Sequence, residues 1–322
     1  MQALTFDRFG GPEVLRYQEV PDPIVPPGHA LVRLHAIGLN FADIYRRRGN
    51  YHLIGQPPYI AGYEGAGTIL TAPSNSLNFL PGGRVAFADI PLANAELVAA
   101  PLEKLIPLPE DISFDTAAAL LLQGLTAHYL VRDSYAVQPS DEVLVHAAAG
   151  GVGLLLIQMV KQLGGRVFGL ASTAAKQAAA LEAGAEAAAS PADNWVEAVK
   201  TWSSKGKGVS VAYDSVGSTL EQSLRATRTG GHVVFYGMAG GEPPLIKPRQ
   251  LMDESKSITG GDLWNVLTNH DERLNRAHEL FAQVRSASLT VRIARRFPLT
   301  QGVQAHAVLE SRECIGKVLL IP

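Results

Sequence analysis

The pattern of apolar and polar positions divides the chain into two parts with different rhythms. Before residue 115, short runs rich in β-branched and large apolar residues alternate with glycine and proline clusters, which predicts a β-rich domain. Its predicted strands are Gln2–Phe6, Val14–Val20, Ala30–Gly38, Gly65–Thr71 and Arg84–Ala88. From Asp115 onward, apolar strands alternate with helical segments, which is typical of a parallel sheet covered by helices.

The second part of the chain predicts a doubly wound sheet. Its predicted strands are Glu142–Ala148, Arg166–Ala171, Ala185–Ala189, Val209–Asp214, His232–Gly237 and Ser257–Gly260. Between Val152 and Leu163 the apolar residues recur with helical spacing, so a helix follows the first strand directly. Six parallel strands with intervening helices form the Rossmann architecture, which binds dinucleotides.

A final strand, Gly316–Ile321, follows this sheet in the sequence. The doubly wound sheet is complete without it, so we expect this strand to pair within the N-terminal domain. The sequence therefore predicts an α/β protein with a discontinuous β-rich domain, residues 1–122 with 263–322, and a Rossmann domain, residues 123–262.

Composition narrows the functional classes. The chain is 47% apolar and 18% charged, with a net charge of −2, which suits a globular enzyme and argues against nucleic acid or an anionic membrane as the main partner. There is no secretory signal and no apolar stretch of membrane-spanning length, so we expect a cytoplasmic protein. Cys314 is the only cysteine, which excludes an internal disulfide and a four-cysteine zinc lobe.

A glycine-rich turn follows the first strand of the predicted Rossmann sheet. Ala148–Gly153 matches the pattern G-x-G-x-x-G with alanine in place of the first glycine. Gly150 and Gly151 let the backbone approach a pyrophosphate, and Gly153 lets the next helix pack closely on the strand. The position between a strand and an amphipathic helix supports a dinucleotide site over a merely structural turn.

The end of the second Rossmann strand favours NADPH over NADH. An NAD enzyme places an acidic residue there to hold the ribose 2′-hydroxyl. This strand ends in Gly169–Thr173 (GLAST), which contains no acid, and Lys176 follows. The hydroxyl of Ser172 and the ammonium of Lys176 suit a 2′-phosphate. The alternative is that Lys176 is an ordinary solvated lysine.

Several short motifs run in consistent order along the whole chain. They are NFADIY at Asn40–Tyr45, QGLT at Gln123–Thr126, HAAAGGVG at His146–Gly153, YDSVG at Tyr213–Gly217, ESR at Glu310–Arg312 and LLIP at Leu319–Pro322. These motifs resemble the soluble quinone oxidoreductases, the zeta-crystallin-like, zinc-free branch of the medium-chain dehydrogenases/reductases. The resemblance implies a GroES-like N-terminal domain, a Rossmann domain and a homodimer.

The resemblance also implies roles for individual residues. Asn40 and Tyr45 would border the nicotinamide. The other residues that would contact the cofactor are Gln123, Thr126, Gly150, Gly151, Val152, Ser172, Lys176, Tyr236, Gly237 and Arg312.

Zinc-dependent relatives that resemble this chain carry cysteine at the position of Asn40 and histidine at that of Tyr63. Asn and Tyr are poor zinc ligands, and Glu64 alone cannot form a zinc site, so we expect no metal. Hydride transfer to a carbonyl acceptor then needs hydrogen-bond donors for the developing oxyanion. Asn40, Tyr45 and Tyr51 are the candidate donors, although Tyr51 is equally compatible with a surface loop.

Other polar residues receive simpler interpretations. His52 is taken as solvent-facing and His146 as a hydrogen-bonded core histidine. The basic run Arg46–Arg48 is interpreted as a solvated face, with contact to RNA as the less favoured alternative.

Three functions stay open. The leading hypothesis is an NADPH-dependent quinone oxidoreductase without flavin or metal. The alternatives are a zinc-free enone or alkenal double-bond reductase and a non-catalytic protein that binds NADPH or RNA. In the expected homodimer, an edge strand of the Rossmann sheet, near His232–Gly237 or the following strand, would pair across a two-fold axis.

Overall fold

The computed structural model describes residues 1–74, 76 and 78–322. The strands are β1 (Gln2–Phe6), β2 (Arg16–Glu19), β3 (His29–Gly38), β4 (Tyr59–Ile60), β5 (Glu64–Thr71), β6 (Arg84–Ala88), β7 (Leu97–Pro101), β8 (Ile106–Pro107), β9 (Glu142–Val145), β10 (Arg166–Leu170), β11 (Ala187–Ala189), β12 (Val209–Asp214), β13 (Thr227–Phe235), β14 (Ser257–Gly260), β15 (Ile293–Pro298) and β16 (Lys317–Ile321). The helices are α1 (Phe41–Arg47), α2 (Phe114–Tyr129), α3 (Gly151–Gln162), α4 (Ala174–Glu182), α5 (Trp195–Trp202), α6 (Leu220–Ala226), α7 (Pro248–Glu254), α8 (Leu263–Val266), α9 (His270–Arg285) and α10 (Gly302–Glu310).

The chain divides into two compact units. Unit 1 comprises Met1–Leu122, Leu267–Arg285 and Val291–Pro322, and unit 2 comprises Gln123–Val266 and Ser286–Thr290. This division differs from the predicted one in placing α8 and Ser286–Thr290 in unit 2. Gln158 explains the second difference, because its Nε2 donates to the Thr290 carbonyl at 3.1 Å and its Oε1 accepts from the Thr290 amide at 2.8 Å.

Unit 1 contains two sheets. A small antiparallel sheet has the order β2-β1-β4, and a seven-stranded sheet has the order β15-β16-β3-β5-β6-β8 with β7 also paired to β3. The last strand, β16, pairs antiparallel with β3 through Leu319↔Gly38 and Leu320↔Ile37, so it does return to the N-terminal sheet as the sequence predicts. The core of this unit includes Leu4, Phe6, Val32, Ile37, Phe87, Val98, Val318 and Leu320.

Unit 2 is the predicted Rossmann sheet. Its six strands are all parallel, in the order β11-β10-β9-β12-β13-β14. The chain reverses its direction of progress between β9 and β12, and ligands bind at the carboxyl ends of the strands at such a switch point. The glycine-rich turn after β9 therefore lies where this architecture binds nucleotides.

The sheet topology separates the two strands considered for a dimer contact. β13, which contains most of His232–Gly237, is an interior strand between β12 and β14. The following strand, β14, is the edge on that side. In the part of the chain that the structure describes, no helix has the length and hydropathy needed to cross a membrane.

Candidate functional site

The predicted site residues fall into two groups, one in each unit. Unit 1 carries Asn40, Tyr45, Tyr51 and Arg312, and unit 2 carries Gln123, Thr126, Gly150, Gly151, Val152, Ser172, Lys176, Tyr236 and Gly237.

The turn between β9 and α3 is tight and backbone-lined. Ala147 adopts a left-handed conformation with φ of 46°, a strained geometry for a residue with a Cβ atom. The amide of Gly150 donates to the Ala147 carbonyl at 2.8 Å, and α3 begins at the next residue. Because the N-cap residue is glycine, it offers no side-chain oxygen to the first amides of α3. The turn therefore suits an external anion such as a pyrophosphate.

The glycines of this turn leave no room for side chains. A Cβ atom on Gly151 would lie 1.8 Å from Oε1 of Gln123, and one on Gly153 would lie 2.4 Å from the Ala147 carbonyl oxygen. Gln123 on α2 thus lies directly against the turn, and Thr126 on the same helix is also buried. These contacts bring together the two predicted elements, QGLT and the glycine motif. Such a close-packed backbone cradle fits a dinucleotide pyrophosphate.

The end of β10 carries a hydroxyl and an ammonium side by side. Nζ of Lys176 lies 3.4 Å from Oγ of Ser172, and the Lys176 amide donates to Oγ1 of Thr173 at 3.4 Å. Ser172 is exposed and Lys176 is partly exposed. A cation and a hydroxyl at this strand end fit a phosphate group better than a neutral ribose hydroxyl.

Asp214 organises the turn after β12. Its side chain is fully buried, and Oδ1 accepts from the amides of Val216 and Gly217 at 2.8 and 3.0 Å. Oδ2 accepts from Oγ of Ser223 at 2.7 Å, and this hydroxyl lies 2.9 Å from Nε2 of His146. Burial lowers the pKa of His146. His146 is therefore a buried, hydrogen-bonded core histidine, as the sequence predicts.

Tyr236 and Gly237 lie beside this turn. The Tyr236 amide donates to the Asp214 carbonyl at 3.0 Å, and a Cβ atom on Gly237 would lie 3.2 Å from the Ser215 carbonyl oxygen. The backbone at these two residues therefore runs along the carboxyl ends of β12 and β13.

Asn40 is held at the start of α1 by a buried polar network. Its Nδ2 donates to Oε2 of Glu64 at 2.9 Å and to the Gly38 carbonyl at 3.2 Å, and its Oδ1 accepts from Nζ of Lys317 at 2.8 Å. Its backbone amide donates to Oδ2 of Asp43 at 2.9 Å. Both Asn40 amide hydrogens thus already have acceptors within unit 1. An oxyanion would have to compete with Glu64 or the Gly38 carbonyl for one of them, which the sequence did not indicate.

Two opposite-charge pairs surround this residue. Lys317 and Glu64 lie 2.6 Å apart with side chains 1% and 0% exposed, and Arg46 and Asp43 lie 3.3 Å apart with side chains 4% and 0% exposed. Burial raises the pKa of Asp43, against the effect of Arg46, and burial lowers the pKa of Lys317, against the effect of Glu64. Each buried acidic side chain therefore has a basic partner, and the two pairs together carry no net charge.

Aromatic rings surround the guanidinium of Arg46. Its central carbon lies 3.4 Å from the centre of the Tyr63 ring and 5.1 Å from that of Tyr51. Tyr51 also meets Tyr45 edge to face, with 6.2 Å between the ring centres. Burial raises the pKa of the Tyr63 phenol, and Arg46 opposes this shift. Both predicted tyrosines are thus packed together, and Tyr51 is a half-buried ring within a cluster.

The basic run Arg46–Arg48 is not a solvated face, which corrects the expectation from the sequence. Arg46 and Arg47 are buried, and only Arg48 is exposed. Nη1 of Arg47 donates to the Gly10 carbonyl at 3.0 Å, and Nη2 donates to Glu310 at 2.5 Å. Because the three guanidinium groups pair with acceptors inside the protein, the run does not form a basic patch for RNA.

Arg312 follows α10 in unit 1. It has a left-handed backbone with φ of 58°, unusual for a residue other than glycine, asparagine or aspartate. Its predicted role at the cofactor stays a prediction.

Sequence reasoning overlooked the roles of Asp43, Arg46, Lys317 and the ring of Tyr63. One signal was available: a charged residue begins each of two mostly apolar strands, Glu64 in β5 and Lys317 in β16. Buried charges require partners, so the two could have been matched.

The donor set around Asn40 does not fit a divalent metal. The ammonium of Lys317 already neutralises Glu64, and Asn40 and Tyr63 supply an amide and a phenol. Across residues 1–74, 76 and 78–322, no group of three or more histidine, cysteine or acidic residues is placed to hold a metal ion.

Comparison with known proteins agrees with this geometry. The family described as alcohol dehydrogenase GroES-like domain matches residues 26–140, and the family described as zinc-binding dehydrogenase matches residues 151–282. Quinone oxidoreductase from Pseudomonas aeruginosa is 36% identical, over 99% of both chains, and 2-haloacrylate reductase from Burkholderia sp. is 34% identical, over 100% of this chain and 99% of that protein. The structure of Escherichia coli quinone oxidoreductase complexed with NADPH covers 100% of both chains with a TM-score of 0.95 at 36% identity.

The fold and the two groups of residues define an oxidoreductase that joins a GroES-like unit to a Rossmann unit. The chain belongs to the quinone oxidoreductase family of the medium-chain dehydrogenases/reductases.

Proposed function

We propose that the protein is an NADPH-dependent quinone oxidoreductase that uses neither flavin nor metal. The observation that carries the cofactor assignment is the pairing of Lys176 with Ser172, at 3.4 Å, at the end of a strand that carries no acid. The quinone assignment rests on relatives with that name that match over the full length of the chain.

Residues of unit 2 would hold the cofactor. Gly150, Gly151 and Val152 offer backbone at the start of α3 to the pyrophosphate. Ser172 and Lys176 would bind the 2′-phosphate, and Gln123 would lie against the turn. Thr126, Tyr236, Gly237 and, from unit 1, Arg312 are proposed to complete the cofactor contacts.

NADPH supplies a hydride when it is bound. A quinone that accepts this hydride gains negative charge on its oxygen, and a proton completes the hydroquinone. Hydroxyl groups of Tyr45 and Tyr51 are proposed to donate hydrogen bonds to this oxygen, where preorganised donors lower the barrier. Asn40 is proposed to border the nicotinamide and to share an amide hydrogen with the acceptor.

The test is the oxidation of NADPH, followed by its near-ultraviolet absorbance, with a panel of quinones, enones and 2-haloacrylates. The assay is repeated with NADH and with a chelator. Faster turnover of quinones with NADPH, unaffected by chelator, supports the proposal. Inhibition by the chelator contradicts the metal-free site. The variants Tyr45→Phe and Tyr51→Phe retain the rings and test the hydroxyl groups alone.

A second candidate is a zinc-free reductase of activated carbon–carbon double bonds. The observation that favours it is the 2-haloacrylate reductase, which matches the chain over its full length and whose crystal structure has a TM-score of 0.85 at 33% identity. Turnover of enones or haloacrylates without turnover of quinones selects this activity. Tight NADPH binding without any turnover selects the non-catalytic hypothesis.

We further propose that the protein resides in the cytoplasm.

We also propose that it forms a homodimer through β14. β14 is a sheet edge, and Leu245 and Met252 in the segment before it are 96% and 68% exposed. An edge strand and exposed apolar side chains are both features that favour association. Light scattering on the wild type and on Leu245→Glu tests this proposal. We expect the mass of a dimer for the wild type and a smaller mass for the variant. The mass of a monomer for both proteins contradicts the proposed dimer.

A further inference from the structure

Lys317, Glu64 and Asn40 form a closed triangle of hydrogen bonds in unit 1. Nζ of Lys317 lies 2.6 Å from Oε2 of Glu64 and 2.8 Å from Oδ1 of Asn40, and Nδ2 of Asn40 lies 2.9 Å from the same Oε2. A charged pair this deeply buried pays a large desolvation cost and is weak evidence for a gain in stability. The pair therefore calls for another role.

The triangle distinguishes the two ends of the Asn40 carboxamide. An ammonium group only donates hydrogen bonds, and a carboxylate only accepts them. Lys317 can consequently face only the amide oxygen, and Glu64 can face only the amide nitrogen. Together they fix one of the two flip orientations of this side chain.

Glu64 is itself held in place. Its other oxygen, Oε1, accepts from the backbone amide of Leu122 at 2.7 Å. The backbone amide of Asn40 is anchored separately by Asp43 at 2.9 Å. In the Asn40 side chain the longest contact is the one from Nδ2 to the Gly38 carbonyl, at 3.2 Å. The hydrogen in that contact is the one that an acceptor oxygen can share most easily.

We propose that Lys317 and Glu64 are positioning residues for the reaction and act through Asn40. This inference rests on the proposed function, because it takes Asn40 to border the nicotinamide and the acceptor. With the amide flipped, its carbonyl oxygen would replace the N–H group and would repel the developing oxyanion. Lys317 therefore supports hydride transfer without contact with cofactor or substrate.

A double-mutant cycle tests this inference on the full-length protein. Lys317→Met is made in the wild type and in Asn40→Ala, and kcat and KM are measured with NADPH and p-benzoquinone. In the wild type we expect Lys317→Met to lower kcat by about tenfold or more, since complete removal of one oxyanion donor costs on the order of a hundredfold. In the Asn40→Ala background the same substitution should lower kcat less than about twofold, because residues that act as a unit are not additive.

Further variants keep the test decisive if Lys317→Met does not fold. Glu64→Gln replaces the carboxylate by an isostere that can present its N–H groups to Asn40. It should lower kcat in the wild type and have a much smaller effect in the Asn40→Ala background. Lys317→Arg keeps a cation and should restore part of kcat. Lys104→Met, which removes a partly exposed lysine bound to Asp89, is the matched control and should leave kcat unchanged.

The outcomes separate the two levels of the hypothesis. Binding of 2′,5′-ADP, which probes unit 2 alone, should stay unchanged in every variant. Equal losses in both backgrounds, in an enzyme that turns over quinones, overturn the positioning role and leave the proposed function intact. Absence of wild-type turnover with every acceptor overturns the proposed function and this inference with it.

Discussion

The guanidinium carbon of Arg46 lies 3.4 Å from the centre of the Tyr63 ring, while the same group pairs with the buried carboxylate of Asp43. One side chain thus balances a buried charge and supports the rings of Tyr63 and Tyr51. A lysine could supply the charge, but it lacks the planar group that stacks on an aromatic face. Stability and the geometry of the tyrosine cluster therefore depend on the same residue.

Replacement of Arg46 by methionine should destabilise unit 1 strongly. The substitution leaves Asp43 buried without its partner, and such losses cost about 3–5 kcal/mol. Arg46→Lys should cost less, because it keeps the charge. The free energy of unfolding from urea titrations measures both effects. Arg48→Met is the control, since the exposed pair of Arg48 with Glu310 is expected to contribute less than about 1 kcal/mol. Equal stability of the methionine variants at positions 46 and 48 would contradict this account.

The preference for NADPH should depend on Lys176. Lys176→Ala is expected to raise KM for NADPH by about tenfold and to leave KM for NADH unchanged, because only NADPH carries the 2′-phosphate. Ser172→Asp should reverse the preference, since a carboxylate repels the phosphate and accepts from a ribose hydroxyl. The ratio of kcat/KM for the two cofactors is the measurement. Lys161→Ala, on the exposed side of α3, is the control. A ratio that Lys176→Ala leaves unchanged would mean that this lysine is an ordinary solvated residue.

Gly151 and Gly153 should respond differently to alanine. The new Cβ at 151 meets the movable end of Gln123, so Gly151→Ala should weaken NADPH binding by about tenfold with a loss of stability below about 1 kcal/mol. The new Cβ at 153 meets backbone, so Gly153→Ala should lower both affinity and stability. Cofactor titration and urea unfolding separate the two quantities. Affinity unchanged in Gly151→Ala would exclude Gln123 and this turn from the cofactor site.

His306 predicts a loss of stability in acid. It is fully buried, neither ring nitrogen has a hydrogen-bond partner among the described residues, and burial lowers its pKa to about 3. The unfolded histidine has a pKa near 6.5, so the unfolded state binds a proton first as the pH falls. The stability contribution of neutral His306 is therefore complete above pH 6.5 and declines between about 6.5 and 3.

The size of this effect is on the order of 5 kcal/mol over that pH window. The measurement is the free energy of unfolding at several pH values for the wild type and for His306→Gln, which cannot titrate. The difference between the two proteins should change with pH only below about 6.5. His278→Gln makes the same substitution at an exposed histidine and is the control for the exchange itself. Parallel curves for His306→Gln and the wild type would refute the prediction.

Local patterns in the sequence predicted most of the elements. The bounds of β1, β6, β12 and β14 agree with the prediction, because apolar patterning and flanking turn residues define them locally. The short strands β4, β7 and β8 were not predicted. β4 and β8 have only two residues each, and β7 is defined by its pairing with β3, about 65 residues away in the sequence.

Local geometry was predictable where one motif defines it. The glycine turn follows β9 as expected, and Nζ of Lys176 lies 3.4 Å from Oγ of Ser172, while the roles of these residues at the cofactor stay predictions. The hydrogen bonds around Asn40 were not predictable, because Lys317 lies 277 residues away and the charges of Glu64 and Lys317 indicate only that each needs a partner if it is buried. The burial of Arg46 and Arg47 was missed for the same reason, since a run of arginines gives no local sign of partners such as Glu310.

The discontinuity of unit 1 has a consequence for biosynthesis. A ribosome makes Asn40 long before Lys317, and all but the last short segment of unit 2 is made between Asn40 and Leu267. Unit 2 can fold as a domain while β3 still lacks its neighbour β16. Until Lys317 is synthesised, Glu64 lacks its counter-ion, and β3 lacks its neighbouring strand on one side. Because β16 is synthesised after β1 to β15, its pairing with β3 is the step that brings Lys317 to Glu64 and completes the network around Asn40.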